Sequence, residues 1–288
     1  MSDILLHVFK HTVYDSFKML PFLFLAYFLI EYIEYRKSHS IEKILAHTGK
    51  FGFAAGSFLG CIPQCGFSVL ASNFYAGRII TAGTLVAVFV STSDEAIPVL
   101  LSNPDSAGMV LKLIVIKILV AVIAGFLTDL FLSRQLNHNK TPLSEQIHED
   151  ICTDCNCEKH GILYGAFSHT ISIYVFIFLI SFILNIAIEL IGHERLASLL
   201  LSGSVLQPVI AAIIGLIPNC ASSVLLTELL INGAISFGSA VSGLCAGAGV
   251  GILVLFKVNK HTKENVYIVL IVALTGIITG LILQTLGI

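Results

Sequence analysis

Gly60-Cys61-Ile62-Pro63-Gln64-Cys65-Gly66-Phe67-Ser68-Val69-Leu70 occurs twice in this chain. Its echo is Gly215-Leu216-Ile217-Pro218-Asn219-Cys220-Ala221-Ser222-Ser223-Val224-Leu225, with seven of eleven positions identical at an offset of 155. Each copy sets a proline, an amide side chain and a cysteine in a row within apolar sequence. A proline ends the helix before it and suits the first turn of the helix after it. Each copy therefore reads as helix, break and new helix, with the cysteine at the new N-terminus. Broken helices at matching places in two halves are the best sequence pointer to a transporter's substrate site.

The surroundings fix the solvent. Hydrophobic residues make up 56% of the 288 residues and charged ones 12%, against about 25% charged in a soluble domain. Mean hydropathy is +0.92. The expectation is an all-α polytopic protein of the cell membrane, the inner membrane in a bacterium, with the lipid bilayer as its first partner. A net charge of -2 gives no electrostatic footprint for nucleic acid. Met1–Lys18 lacks a cleavage pattern, so no signal peptide is read there. There is no Trp, which leaves eight tyrosines for any interfacial aromatic belt. The seven cysteines divide between apolar segments (Cys61, Cys65, Cys220, Cys245) and one polar loop (Cys152, Cys155, Cys157), which is no disulfide framework.

Five apolar stretches fill each half. In residues 1–132 they run over 13–35, 51–63, 66–77, 79–101 and 110–132. In residues 161–288 they run over 162–191, 196–218 (interrupted by Gln207-Pro208), 221–232, the Gly-rich 234–256, and 266–288. The stretches flanking Pro63 hold about a dozen residues each, about 18 Å as helix against a hydrocarbon core of about 30 Å. They suggest a re-entrant hairpin with its tip near the midplane, where irregular backbone needs protein or a water-filled cavity around it. An odd number of stretches per half gives the halves opposite orientations. The expected fold is thus two inverted-topology repeats of five segments, with paired broken or re-entrant helical hairpins. Placing the 36–50 loop in the cytoplasm puts there the 133–160 linker and most of the 16 Lys and Arg.

Three groups of residues carry the chemistry. Cys65 and Cys220 stand at helix N-termini, which favour the thiolate, a soft ligand for thiophilic metals. Gln64 and Asn219 add amide groups beside them, and Ser68 and Ser223 lie one turn further along. The plain alternative is that such a Cys is a small buried hydrophobe. Asp94 and Glu95, after Ser91-Thr92-Ser93 and before Pro98, form the second group. A carboxylate near the bilayer centre costs about 2.5–3.5 kcal/mol on insertion scales, so the pair reads as a cation or proton site unless the segment ends early at the interface. Glu228, at offset 155 from Asn73, is read as a third ligand or proton carrier. The third group is the linker, where Cys152, Cys155, Cys157 and His160, with His148 nearby, pack three thiols and imidazoles closely. That spacing suits soft-metal capture on the cytoplasmic face better than a zinc finger; the alternative is a charged linker with incidental cysteines.

These strings resemble the ten-span heavy-metal exporter family, whose members are variously assigned as arsenic-efflux or manganese transporters. The resemblance covers nearly the whole chain. It rests on Ile62 to Ser68, on Ser91 to Pro98, on the Cys/His-rich linker, and on Ile217 to Ser223 leading to Ser236–Ala246. The chain departs from the family pattern at Gly247, where a polar Asn is expected. The resemblance implies export of a metal ion or metalloid.

The residues and the resemblance converge on a secondary transporter, not an enzyme and without a cofactor, exporting a metal ion or metalloid in exchange for protons. No Gly-x4-Gly-Lys-[Ser/Thr] motif for ATP is present. Two other classes stay open. One is a membrane thiol–disulfide oxidoreductase using Cys61 and Cys65, although redox motifs favour Cys-x2-Cys and Leu216 replaces the first cysteine in the echo. The other is a metal sensor built on the linker. The substrate's identity and assembly into a homo-oligomer are left open by the sequence.

Overall fold

A computed structural model describes residues 9, 12, 13, 17, 20, 21, 24, 25, 27 and 28, and then 52–62, 66–93, 96–101, 107–136, 161–191 and 206–287. Gln64, Cys65, Asp94 and Glu95 lie outside the described residues, as does the linker with His148, Cys152, Cys155, Cys157 and His160. Every element among the described residues is an α-helix. In chain order they are α1 (Gly52–Gly60), α2 (Gly66–Ala76), α3 (Ala82–Ser91), α4 (Ala96–Leu101), α5 (Ala107–Leu136), α6 (Gly161–Ile191), α7 (Gln207–Gly215), α8 (Cys220–Ile231), α9 (Phe237–Ala246), α10 (Gly251–Val258) and α11 (Thr262–Thr285).

The starts of α1, α3, α4 and α5 recur as those of α7, α9, α10 and α11 at an offset of 155; α8 begins one residue ahead of that register relative to α2. The capping chemistry repeats as well. The Thr81 hydroxyl accepts from the Thr84 amide to start α3, and the Ser236 hydroxyl accepts from the Ser239 amide to start α9. Each such cap stabilises its helix by about 1 kcal/mol. Gln207-Pro208 opens α7, with the proline in the first turn where its missing N–H costs nothing. The Gly-rich stretch 234–256 is not one helix. It stops at Ala246, passes through Gly247–Val250, and restarts at Gly251.

Long helices sit outside and broken ones inside. About 33% of the spans Gly108–Phe131 and Thr262–Thr285 is buried, against 81% and 78% of Ala82–Leu101 and Phe237–Val258. The exposed side of α5 carries Leu111, Val115, Leu119 and Ile123, and that of α11 carries Leu270, Leu274, Ile278 and Ile282. A four-residue spacing lays these side chains along one stripe, and a stripe so apolar is suited to lipid and not to water. On the inner side, glycines let backbones touch. A Cβ on Gly83 would lie 2.2 Å from the Gly125 carbonyl oxygen, and one on Gly238 would lie 2.8 Å from that of Gly280. These small-residue crossings seat α3 on α5 and α9 on α11.

Packing between the halves follows an exchange rule. α2 lies on α10 of the other half, and α8 lies on α4. α3 touches α11, and α9 touches α5; α3 meets α9, and α5 meets α11. Exchanging each element for its counterpart 155 residues away returns the same set of neighbours. This is the signature of a two-fold relation, as in an isologous dimer. The core is therefore continuous across both halves, running from Leu85, Phe89 and Leu100 to Leu226, Val241 and Leu244.

Candidate functional site

The second copy of the opening motif is fully described. α7 ends at Gly215, and Asn219 turns extended (φ -148°, ψ 144°) to cap α8, its side-chain oxygen accepting from the Ala221 amide at 3.3 Å. Cys220 is thereby the first helical residue of α8. The Asn219 amide donates to Asn185 Oδ1 of α6 at 2.7 Å, and the Asn185 amide donates to Thr12 Oγ1 at 2.9 Å. Both polar ends of Asn219 are thus engaged in holding the break in place. In the first copy α1 ends at Gly60 and α2 begins at Gly66.

The start of α8 meets the end of α3. Thr92 and Ser93 of the first half, with Gly215, Ser222, Ser223, Leu226, Gly243, Leu244 and Gly247 of the second, line a hollow of about 10 Å³. That is room for about one water-sized guest. The four hydroxyls share one feature. Thr92 Oγ1 donates to the Val88 carbonyl at 2.7 Å, Ser93 Oγ to that of Ser91 at 3.2 Å, Ser222 Oγ to that of Asn219 at 2.7 Å, and Ser223 Oγ to that of Cys220 at 2.8 Å. A hydroxyl has one proton and two lone pairs. With all four protons committed to backbone, these groups meet a guest as acceptors, and an acceptor-only oxygen lining suits a cation.

A cation from the protein itself stands beside the hollow. Lys117, on α5, is fully buried. Its ammonium donates to the carbonyl oxygen of Thr92, and to that of Leu244 at 2.7 Å. These carbonyls belong to the C-terminal ends of α3 and α9, where unpaired C=O groups gather partial negative charge. A buried ammonium costs several kcal/mol unless well paired, and the two helix ends contribute to that pairing. The Lys117 charge also acts on the Cys61 and Cys245 thiols. The sequence reading missed this residue. A lysine within an apolar span, five residues after Lys112, was the only signal, and these two carbonyl partners lie 25 and 127 residues away.

Placement of the remaining expected residues is uneven. Ser223 lines the hollow. Ser68, its counterpart, is fully buried against α10, where a Cβ on Gly251 would lie 2.7 Å from Ser68 Cβ and the Ser72 hydroxyl donates to the Gly251 carbonyl at 2.8 Å. Glu228 is exposed on α8, while Ser222, Leu225, Leu226 and Thr227 form its buried side. Asp94 and Glu95 fall in the stretch between Ser93 and Ala96, outside the described residues. No group of three or more His, Cys, Asp or Glu that could hold a metal is found among the described residues.

A family model described as "Putative, 10TM heavy-metal exporter" matches residues 5–191 and again 163–287. No curated protein and no solved structure matches the chain. The two matches together take in almost all of the sequence, and the chain belongs to this heavy-metal exporter family.

Proposed function

We propose that this member of the heavy-metal exporter family is a secondary transporter. It moves a metal ion or metalloid out of the cell in exchange for protons, through a site where the two halves meet. The observation that carries the reading is the hollow between Thr92-Ser93 and Ser222-Ser223. It lies where broken helices of both halves converge, and its hydroxyls meet a guest as acceptors. The halves act as inverted repeats whose hairpins open alternately to the two sides. Asp94 and Glu95, following Ser93 in the chain, add carboxylate ligands. Cys65 and Cys220 at the helix starts add soft ones, and the Cys152–His160 segment gathers metal on the cytoplasmic face. The oxygen lining favours a hard or borderline divalent ion, and engagement of the thiols extends the range to softer species. Glu228, exposed on α8, is left out of this site.

The test is cellular element content by mass spectrometry under Mn, Zn, Fe, Cu and arsenite loads. Cells with the wild type are compared with cells carrying Cys65→Ser/Cys220→Ser and, separately, Ser222→Ala/Ser223→Ala. One element should fall with the wild type and recover in the variants. Recovery in the serine-to-alanine variant alone would assign the site to oxygen ligands. No change in any element would end the export reading and leave the thiol–disulfide and sensor classes standing.

A further inference from the structure

We propose that the first repeat holds an acyl chain of a membrane phospholipid in an apolar slot between α1 and α2. Its occupancy does not depend on what the protein transports. A cavity of about 250 Å³ runs between the two helices. Ala55, Gly56 and Leu59 form one wall, and Phe67, Ala71 and Phe74 the other. Spacings of three and four residues set each wall on one helix face. Thr84 and Val88 of α3 form the floor. An apolar cavity of about 150 Å³ stays dry and holds benzene; on that scale this slot holds about ten carbon atoms.

None of the described lining residues is ionisable. At the loop end the Thr81 hydroxyl donates to Asp129 Oδ2 at 2.8 Å and stands 2.9 Å from that of Thr84. Such a lining offers little to water or an ion and suits hydrocarbon. The slot opens beside Ala55 and Leu59, both exposed, next to the exposed ring of Phe58. That surface continues the apolar exterior against which the bilayer lies, so the guest that reaches it is a lipid tail and not a solute from water.

The second repeat supplies its own side chains at these places. Gly52, Ala55 and Ala71 correspond, 155 residues on, to Gln207, Ile210 and Leu226. Gln207 Oε1 accepts from the Ser236 amide at 3.0 Å and from the Ser239 hydroxyl at 2.8 Å, which ties the start of α7 to the start of α9. Leu226 is fully buried and reaches to 2.5 Å from where a Cβ on Gly243, the counterpart of Val88, would lie. Ile214 is 4% exposed where its counterpart Leu59 is 49% exposed. Phe67 and Phe74 are larger than Ser222 and Leu229, but they are only partly buried and border the slot without filling it. The tail thus takes, in the first repeat, the place between helices that Leu226 takes in the second.

The experiment uses the purified full chain in phosphatidylcholine vesicles containing a trace of phosphatidylcholine with a diazirine in mid-chain. Illumination, digestion and mass spectrometry locate the adducts. Gly56 and Val88 are buried, so only a chain inside the slot reaches them. Leu270 and Leu274, on the exposed stripe of α11, report ordinary bilayer contact. The wild type should carry adducts at both places. Ala55→Ile/Ala71→Leu gives the slot side chains of the second repeat's size and displaces about six of the ten carbons. Adducts at Gly56 and Val88 should then fall about ten-fold or more against the α11 standard. Should that variant fail to fold, Ala55→Ile alone, at an exposed position, should lower them in the same direction. Slot adducts that survive the filling at full yield would place their source elsewhere and overturn the proposal. Wild-type label confined to α11 would overturn it too, showing the slot closed or filled by another part of this chain.

Discussion

Arg78 and Gly233 stand 155 residues apart and turn the chain through the same left-handed backbone, with φ of 55° and 68°. Glycine adopts that conformation without strain, whereas an L-residue pays about 1–2 kcal/mol. The arginine has compensation. Its guanidinium donates to Glu264 Oε2 at 3.0 Å, the Tyr75 hydroxyl donates to the same oxygen at 3.1 Å, and the charge lies over the Tyr75 ring. Burial works against the Arg78 charge, but the Glu264 carboxylate outweighs it and holds the group above the ordinary arginine value. A raised folded-state value means a contribution fully present below the ordinary value and lost only as pH climbs through the raised one, so it is constant from weak acid to weak base. Arg78→Ala removes the pair and keeps the strain, while Arg78→Gly removes both. The glycine variant should be more stable than the alanine one by about 1 kcal/mol in detergent melts. Equal midpoints would show that the turn relaxes.

Gly215 sits against the backbone of α9, where an added Cβ would lie 2.0 Å from the Gly243 carbonyl oxygen. Backbone cannot swing aside as a long side chain can, so Gly215→Ala must separate α7 from α9 and distort the hollow. We expect a loss of about 2 kcal/mol or more, or no folded protein. Gly108 meets nothing within 4 Å, and Gly108→Ala should be neutral or stabilising by up to about 1 kcal/mol. Thermal melts that rank the two variants the other way would contradict the close approach.

Two different polar ties fasten Tyr27 and α6 to α2 and to the residue that caps α8. Tyr27 donates to Asn73 Oδ1 of α2 at 2.6 Å, and Asn185 of α6, at offset 158 from Tyr27, accepts from Asn219 at 2.7 Å. Tyr27→Phe and Asn185→Leu should each cost about 1–2 kcal/mol, because a buried partner loses its bond. Asn185→Leu should in addition weaken transport, since Asn219 sets the start of α8. Parallel flux and melting measurements separate the two effects: the tyrosine variant should lose stability with less loss of flux.

Removing one acceptor from the hollow tests its role directly. Ser223→Ala deletes a single oxygen and leaves the helix intact, because the hydroxyl bonds only locally, to Cys220. A bond to a charged guest contributes about 1.5–3 kcal/mol, so apparent affinity for the metal should drop about ten-fold or more while the melting point holds. An unchanged affinity would place the guest elsewhere.

Much of the frame is visible in the residues because repetition writes itself into sequence. The Pro-Asn-Cys string marks the break before α8, and the offset of 155 aligns the helix starts. The break after Ala246 is harder to see. Gly243, Gly247, Gly249 and Gly251 read equally as close packing or as interruption, and only the packing of α2 on α10 decides between them. Glu228 looked like a ligand because apolar neighbours surround it in sequence. The structure places it on the exposed side of α8. Lys117 is illegible for the opposite reason. Two of its partners are the Thr92 and Leu244 carbonyls, and every residue possesses a carbonyl, so no residue type announces those bonds.

The exchange rule in the packing sets a limit on what a half-chain could be. A copy of residues 1–132 paired two-fold with another copy would find most of its contacts waiting, with α2 of one resting on α4 of the other. It would also bring two Lys117 ammoniums to the same junction of helix ends, where the present chain has one lysine and Val272. Two ammoniums held that close repel. Joining two unlike halves in one polypeptide leaves a single lysine at that junction, so the two repeats are free to diverge there in charge.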